Sequence, residues 1–129
     1  MKIINLVSCG HRFGRPVGVS TIIDVSELPN PTRLEPERWR SSGGFCGSMI
    51  DWAKERDDYR GIAASIAGLA VRLAELDPNV RIALACKSGR HRSPVMARLV
   101  RDRLLSRGVE TTINDRDGWR ERTENRSTP

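Results

Sequence analysis

The sequence predicts an α/β fold: a single small domain of about four mostly parallel strands with flanking helices. Three observations predict it. Short β-branched or apolar runs alternate with stretches of helical spacing, in the order β, β, α, α, β, α, β. One run, Val80–Ala85, is almost wholly apolar, as a strand covered on both faces must be. That run passes through a polar loop bearing Gly89 into a helix-like stretch, the strand–loop–helix unit of parallel sheets. A length of 129 residues suits one core.

Ile3–Val7 reads as a buried first strand, followed by a glycine- and proline-punctuated loop over 10–18. "STIIDV" (20–25) is the second strand, ending at Asp24. Residues 27–36 carry three prolines and are expected to be irregular. Residues 38–48 read as a mobile or ligand-shaped loop, and Ile50–Asp58 as a short helix. Ile62, Ile66, Leu69, Ala70 and Leu73 mark a helix over Ile62–Leu76, stopped by "DPN" at 77–79. After the third strand, Ser93 is placed as the N-cap and Pro94 as the first residue of the next helix. Met96, Leu99, Val100 and Leu104 form its buried stripe, and Gly108 ends it. Val109–Ile113 is the fourth strand. The domain is expected to span 1–116, with 117–129 a polar, frayed tail.

The chain carries 22 Lys and Arg against 16 Asp and Glu, a formal charge of +6, and nineteen of the basic residues are arginine. This favours anionic partners, because the planar guanidinium bonds phosphate bidentately; codon bias would give the same count. No apolar run approaches the ~18 residues that span a bilayer. Ile3–Val7 is too short for a signal-peptide core. A cytoplasmic protein with no membrane partner is expected. Three cysteines, at 9, 46 and 86 with no CxxC, argue against both a disulfide framework and a zinc site. No metal or cofactor is expected.

In a parallel sheet the loops that follow strands gather at one edge, where ligands bind, so loops 8–18, 24–35, 86–93 and 114–117 should converge. The loop "CKSGRHRS" (86–93) holds Lys87, Arg90 and Arg92 and no acid. A polar loop entering a helix start is an anion site, since the first amides point at the ligand and the dipole favours negative charge. Ser88, Gly89 and the following amides, through Ser93, would cradle a phosphate. Arg92, with Lys87 or Arg90, would neutralise it. His91 would orient the ligand or stabilise the loop. Cys86 and Arg92 also fit C-x5-R-[ST], the spacing of cysteine-dependent phosphatases, with Cys86 as nucleophile and Asp24, Asp115 or Asp117 as general acid. Cys9 and Arg15 share that spacing, so spacing alone is cheap, and a buried cysteine closing a strand is the plain alternative.

Four stretches, "SCGHRFGRP" (8–16), "DVSELPNP" (24–31), "CKSGRHRS" (86–93) and "NDRD" (114–117), resemble the C-terminal domain family of the RNase adapter RapZ. The resemblance spans nearly the whole chain. It implies a stand-alone α/β domain that binds phosphorylated ligands, an amino-sugar phosphate among them, and small regulatory RNA. It also implies an adaptor that contacts proteins and self-associates, rather than a phosphatase. It brings Ser8, Arg12 and Asn30 to the ligand. No GxxxxGK[ST] occurs, so nucleotide hydrolysis is not carried over. Ser26, Lys87, Ser88 and Asp115 depart from the family pattern. For RNA, Arg98 and Arg101 on the helix, with Arg107, and Arg116 and Arg120 in the tail, with Arg122 and Arg126, would track a backbone. An ordinary solvated helix face explains the helix arginines equally. Stacking platforms are few, so sequence-specific single-strand readout has little support.

Overall fold

The computed structural model describes residues 2–39, 42, 46–118 and 120. Strand β1 (Ile3–Gly10) runs between two neighbours, and its mostly apolar side chains are buried on both faces. The later strands are β2 (Thr21–Asp24), β3 (Arg81–Cys86) and β4 (Glu110–Asp115). They form one sheet in the order β2-β3-β1-β4, every pair parallel. The predicted α/β class with four strands is therefore observed, and the sheet is parallel throughout.

Five helices accompany the sheet among the described residues. They are α1 (Pro31–Leu34), α2 (Pro36–Trp39), α3 (Gly47–Lys54), α4 (Asp57–Leu76) and α5 (Arg92–Ser106). Ile4 and Leu6 of β1, and Ile82 and Leu84 of β3, face α4 and α5 across one hydrophobic core. An alanine face on α4 lets that helix lie close, while α5 contributes Val95, Met96, Val100 and Leu104. The opposite sheet face is thinner. Val7, Cys9, Ala83 and Ala85 pack there against Val19 and Ile22.

Several boundaries differ from expectation, each for a local reason. Segment 27–36 is not wholly irregular: Pro31 starts α1 behind an Asn30 cap, whose Oδ1 accepts from the Thr32 N–H at 3.1 Å, and Pro36 starts α2. The helix placed at 50–58 belongs to two helices. α3 begins earlier and ends at Lys54, while Asp57 and Asp58 supply the acidic first turn of α4, five residues before Ile62. α5 starts at Arg92 rather than Pro94, with His91 at the N-cap position, where its side chain does not cap the helix amides. Ser93 is turned inward instead, and proline is tolerated in a first turn whose amides have no helical partner. Arg40, Ser41, Gly43, Gly44 and Phe45 of the expected mobile loop lie outside the described residues, as does the tail at 121–129 with Arg122 and Arg126. No described helix is long and apolar enough to cross a membrane.

Candidate functional site

Because all four strands run the same way, Gly10, Asp24, Cys86 and Asp115 end at one edge. The chain there is held by a close backbone crossing. A Cβ on Gly10 would lie 2.3 Å from the Ser88 carbonyl carbon, and one on Gly89 would lie 2.6 Å from the Gly10 nitrogen. Gly89 also has φ +74°, a left-handed conformation that glycine adopts freely. The Arg12 N–H donates to the Lys87 carbonyl at 3.1 Å, tying the two strand-end loops together.

Above this crossing lies a cleft of about 1170 Å³. The β3–α5 loop gives it Lys87, Ser88, Arg90, His91 and Arg92. Arg12 enters from the loop after β1, Asn30 from the segment after β2, and Arg120 from beyond β4. Arg92, at the first turn of α5, donates from its guanidinium to the Ser26 carbonyl and so bridges two walls. His91 Nε2 lies 2.7 Å from the Ser42 carbonyl, which only accepts, so this nitrogen carries the proton. The start of α5 has no side-chain cap; Pro94 brings no N–H and the Val95 N–H donates to the His91 carbonyl, so the Arg92 and Ser93 amides are the ones without a helical partner.

Other sequence-predicted residues serve the scaffold. Gly89 and Ser93 are buried and do not line the cleft. Ser8 is also buried, and its hydroxyl donates to Asp115 at 2.7 Å. Cys86 is 1% exposed and likewise stands off the cleft lining. Its thiol donates to the Ser93 hydroxyl at 3.3 Å, which donates onward to the Cys9 carbonyl at 3.2 Å. Burial pushes the neighbouring Cys9 thiol up.

Two of the candidate acids, Asp24 and Asp115, are held as carboxylates. Asp24 is lowered to about 2, first by the Ser26 hydroxyl and N–H, with His11 Nε2 3.2 Å away. Burial would raise Asp115, but hydrogen bonds from Arg98 and Ser8 outweigh it and hold it low. Arg98 meets Asp115 with both terminal nitrogens, and the two side chains are only 15% and 9% exposed. Asp117, read from the sequence as the first tail residue, is fully buried. It accepts from the Gly10 N–H at 2.8 Å and pairs with Arg116 and Arg120. Of the arginines expected to track RNA, Arg98 and Arg116 thus point at internal acids. Arg101 is half-buried on α5. Arg120 lies over the Phe13 ring at 4.6 Å, at the cleft.

Sequence reasoning passed over His11, Phe13, Thr32 and Arg33, all of which line the cleft. For the last two, the available signal was Pro31 behind a capping asparagine, which starts a helical turn and swings Thr32 and Arg33 toward the strand ends. Among the described residues, no three His, Cys, Asp or Glu side chains form a group able to hold a metal.

A family model described as the RapZ C-terminal domain matches residues 2–118. The chain is 33% identical over 127 residues to a nucleotide-binding protein of Clostridium novyi, covering 89% of this chain and 40% of that relative. It is 34% identical over 131 residues to a nucleotide-binding protein of Pediococcus pentosaceus, covering 96% of this chain and 43% of the relative. A nucleotide-binding protein of Psychrobacter cryohalolentis is 30% identical over 129 residues, with 92% and 39% covered. The chain thus spans about two fifths of the relatives it matches.

Proposed function

The chain belongs to the RapZ C-terminal domain family, and from that premise we propose that it is a phosphate-binding regulatory module, holding a phosphorylated small molecule in the cleft at the strand ends. One observation carries the reading: the uncapped start of α5 meets Lys87, Arg90 and Arg92 at the wall of a large cleft. Open amides supply directional donors and the guanidinium supplies charge. The relatives' names as nucleotide-binding proteins agree with a phosphorylated ligand. Adaptor behaviour and self-association follow from family membership as parts of the same proposal. RNA is the weaker ligand, because the Arg98 guanidinium is closed on Asp115 rather than offered to a backbone.

Hydrolysis is the competing reading, favoured by the contact between Cys86 and Ser93. Three features weigh against it. The sulfur is buried off the cleft lining, the serine hydroxyl already donates to the Cys9 carbonyl, and the nearby aspartates are ion-paired or held low. The test is a thermal-shift titration with inorganic phosphate, beside an assay with p-nitrophenyl phosphate. Phosphate should raise Tm in the wild type and in Cys86→Ser, but not in Arg92→Ala. Turnover of p-nitrophenyl phosphate that disappears in Cys86→Ser would replace binding by catalysis.

A further inference from the structure

Among the described residues, the cleft is lined by six cationic side chains and no carboxylate. They come from separate segments: Arg12 after β1, Arg33 on α1, Lys87, Arg90 and Arg92 around the start of α5, and Arg120. The chain as a whole carries 22 basic against 16 acidic residues, so its formal excess is positive as this cleft is. Arg120 shares Asp117, and Arg92 rests on a carbonyl oxygen, which orients its charge without cancelling it. Like charges gathered in one cleft repel one another and raise its potential. A phosphate monoester carries about −1.5 to −2 at neutral pH, which leaves much of this charge unmatched. The volume, about 1170 Å³, also exceeds what one phosphate group fills.

We propose that the ligand is an oligophosphate: at least two linked phosphate groups bound across the cleft, one by the Lys87–Arg92 loop and the next by Arg33 of α1. This rests on the phosphate-binding reading above and specifies its ligand class. Two linked groups would engage both the start of α5 and α1, which line the same cleft. Arg33 is then a specificity residue, selecting the second phosphate without holding the first.

Calorimetric titrations with inorganic phosphate, pyrophosphate and a short single-stranded RNA lacking a terminal phosphate test this, at matched ionic strength and pH 8. Pyrophosphate should bind at least tenfold more tightly than phosphate. Arg33→Ala should abolish most of that ratio while leaving phosphate affinity within about twofold. Arg103→Ala, exposed on α5 away from the cleft, should leave the ratio intact. Phosphate binding with a ratio near one, or an Arg33→Ala variant that weakens both anions alike, would overturn this inference and leave the phosphate site standing. Binding of RNA in preference to pyrophosphate would also overturn it. Binding of none of the three would remove the phosphate site as well.

Discussion

The backbone N–H of Gly10 donates to Oδ2 of Asp117 at 2.8 Å, across 107 residues of sequence. The same carboxylate receives Arg116 and Arg120, so one buried acid fixes the end of the central strand and gathers two guanidiniums beside the cleft. Asp117→Ala should destabilise the domain by about 3 kcal/mol, because it leaves a buried N–H unpaired and takes the carboxylate from two guanidiniums. Urea denaturation measures this. A loss under about 0.5 kcal/mol, the size of a plain surface change, would show that the clip does not hold.

The glycine crossing gives a second expectation. A methyl group at Gly10 meets the Ser88 backbone at 2.3 Å, and neither chain can yield without moving the loop. Gly10→Ala should cost about 2 kcal/mol or more and should weaken phosphate binding in the same titration. Gly61→Ala, in α4 with open space around it, is the contrast: it should stabilise by about 0.5–1 kcal/mol.

Tyr59 predicts an alkaline limit. Its hydroxyl donates to the Pro29 carbonyl at 2.6 Å and anchors the segment that carries Asn30. Burial holds the phenol above its ordinary range. The folded chain therefore keeps this proton more tightly, so its contribution is complete below the unfolded value of about 10 and is lost as pH rises above it. Tyr59→Phe should lower stability by about 1 kcal/mol at neutral pH and make the alkaline fall less steep. An identical slope in the two proteins would exclude Tyr59 as its source.

At the acid end the sign reverses. Arg98 and Ser8 keep the Asp115 carboxyl low in spite of its burial. A depressed carboxyl stabilises the fold above its unfolded pKa of about 4, and that stability is lost as pH falls below it. Asp115→Asn should flatten the acid limb of a pH–Tm curve. Arg98→Ala should cost about 3 kcal/mol at neutral pH by leaving the buried acid unpaired. A loss confined to RNA affinity, with Tm unchanged, would return Arg98 to the surface role expected from spacing.

The parts of the fold legible in the sequence were those where hydrophobic pattern alone decides. Val80–Ala85 is apolar enough to demand cover on both faces, and the following loop carries its cations with no acid between them. Convergence of the four loops followed from parallel order alone. Other features depend on partners far along the chain. Asp117 sits in a polar stretch, and nothing local distinguishes it from a solvated acid until Gly10 is brought beside it. Arg98 has the spacing of a solvent-facing residue, and only the end of β4 turns it inward. The prolines at 31 and 36 read as helix breakers, although each occupies the first helical position, where no N–H partner is needed.

The central place of β1 has a consequence for how the protein forms. Its two partners, β3 and β4, begin at residues 81 and 110, so neither side of β1 is paired by nearby chain. Contact order is correspondingly high, and folding is expected in the slower range for domains of this size. During synthesis β1 precedes both partners: one edge stays open until β3 is made and the other until β4 is made. A chain arrested before Glu110 would present that apolar strand with one edge unpaired, a template for aggregation rather than a partly working domain.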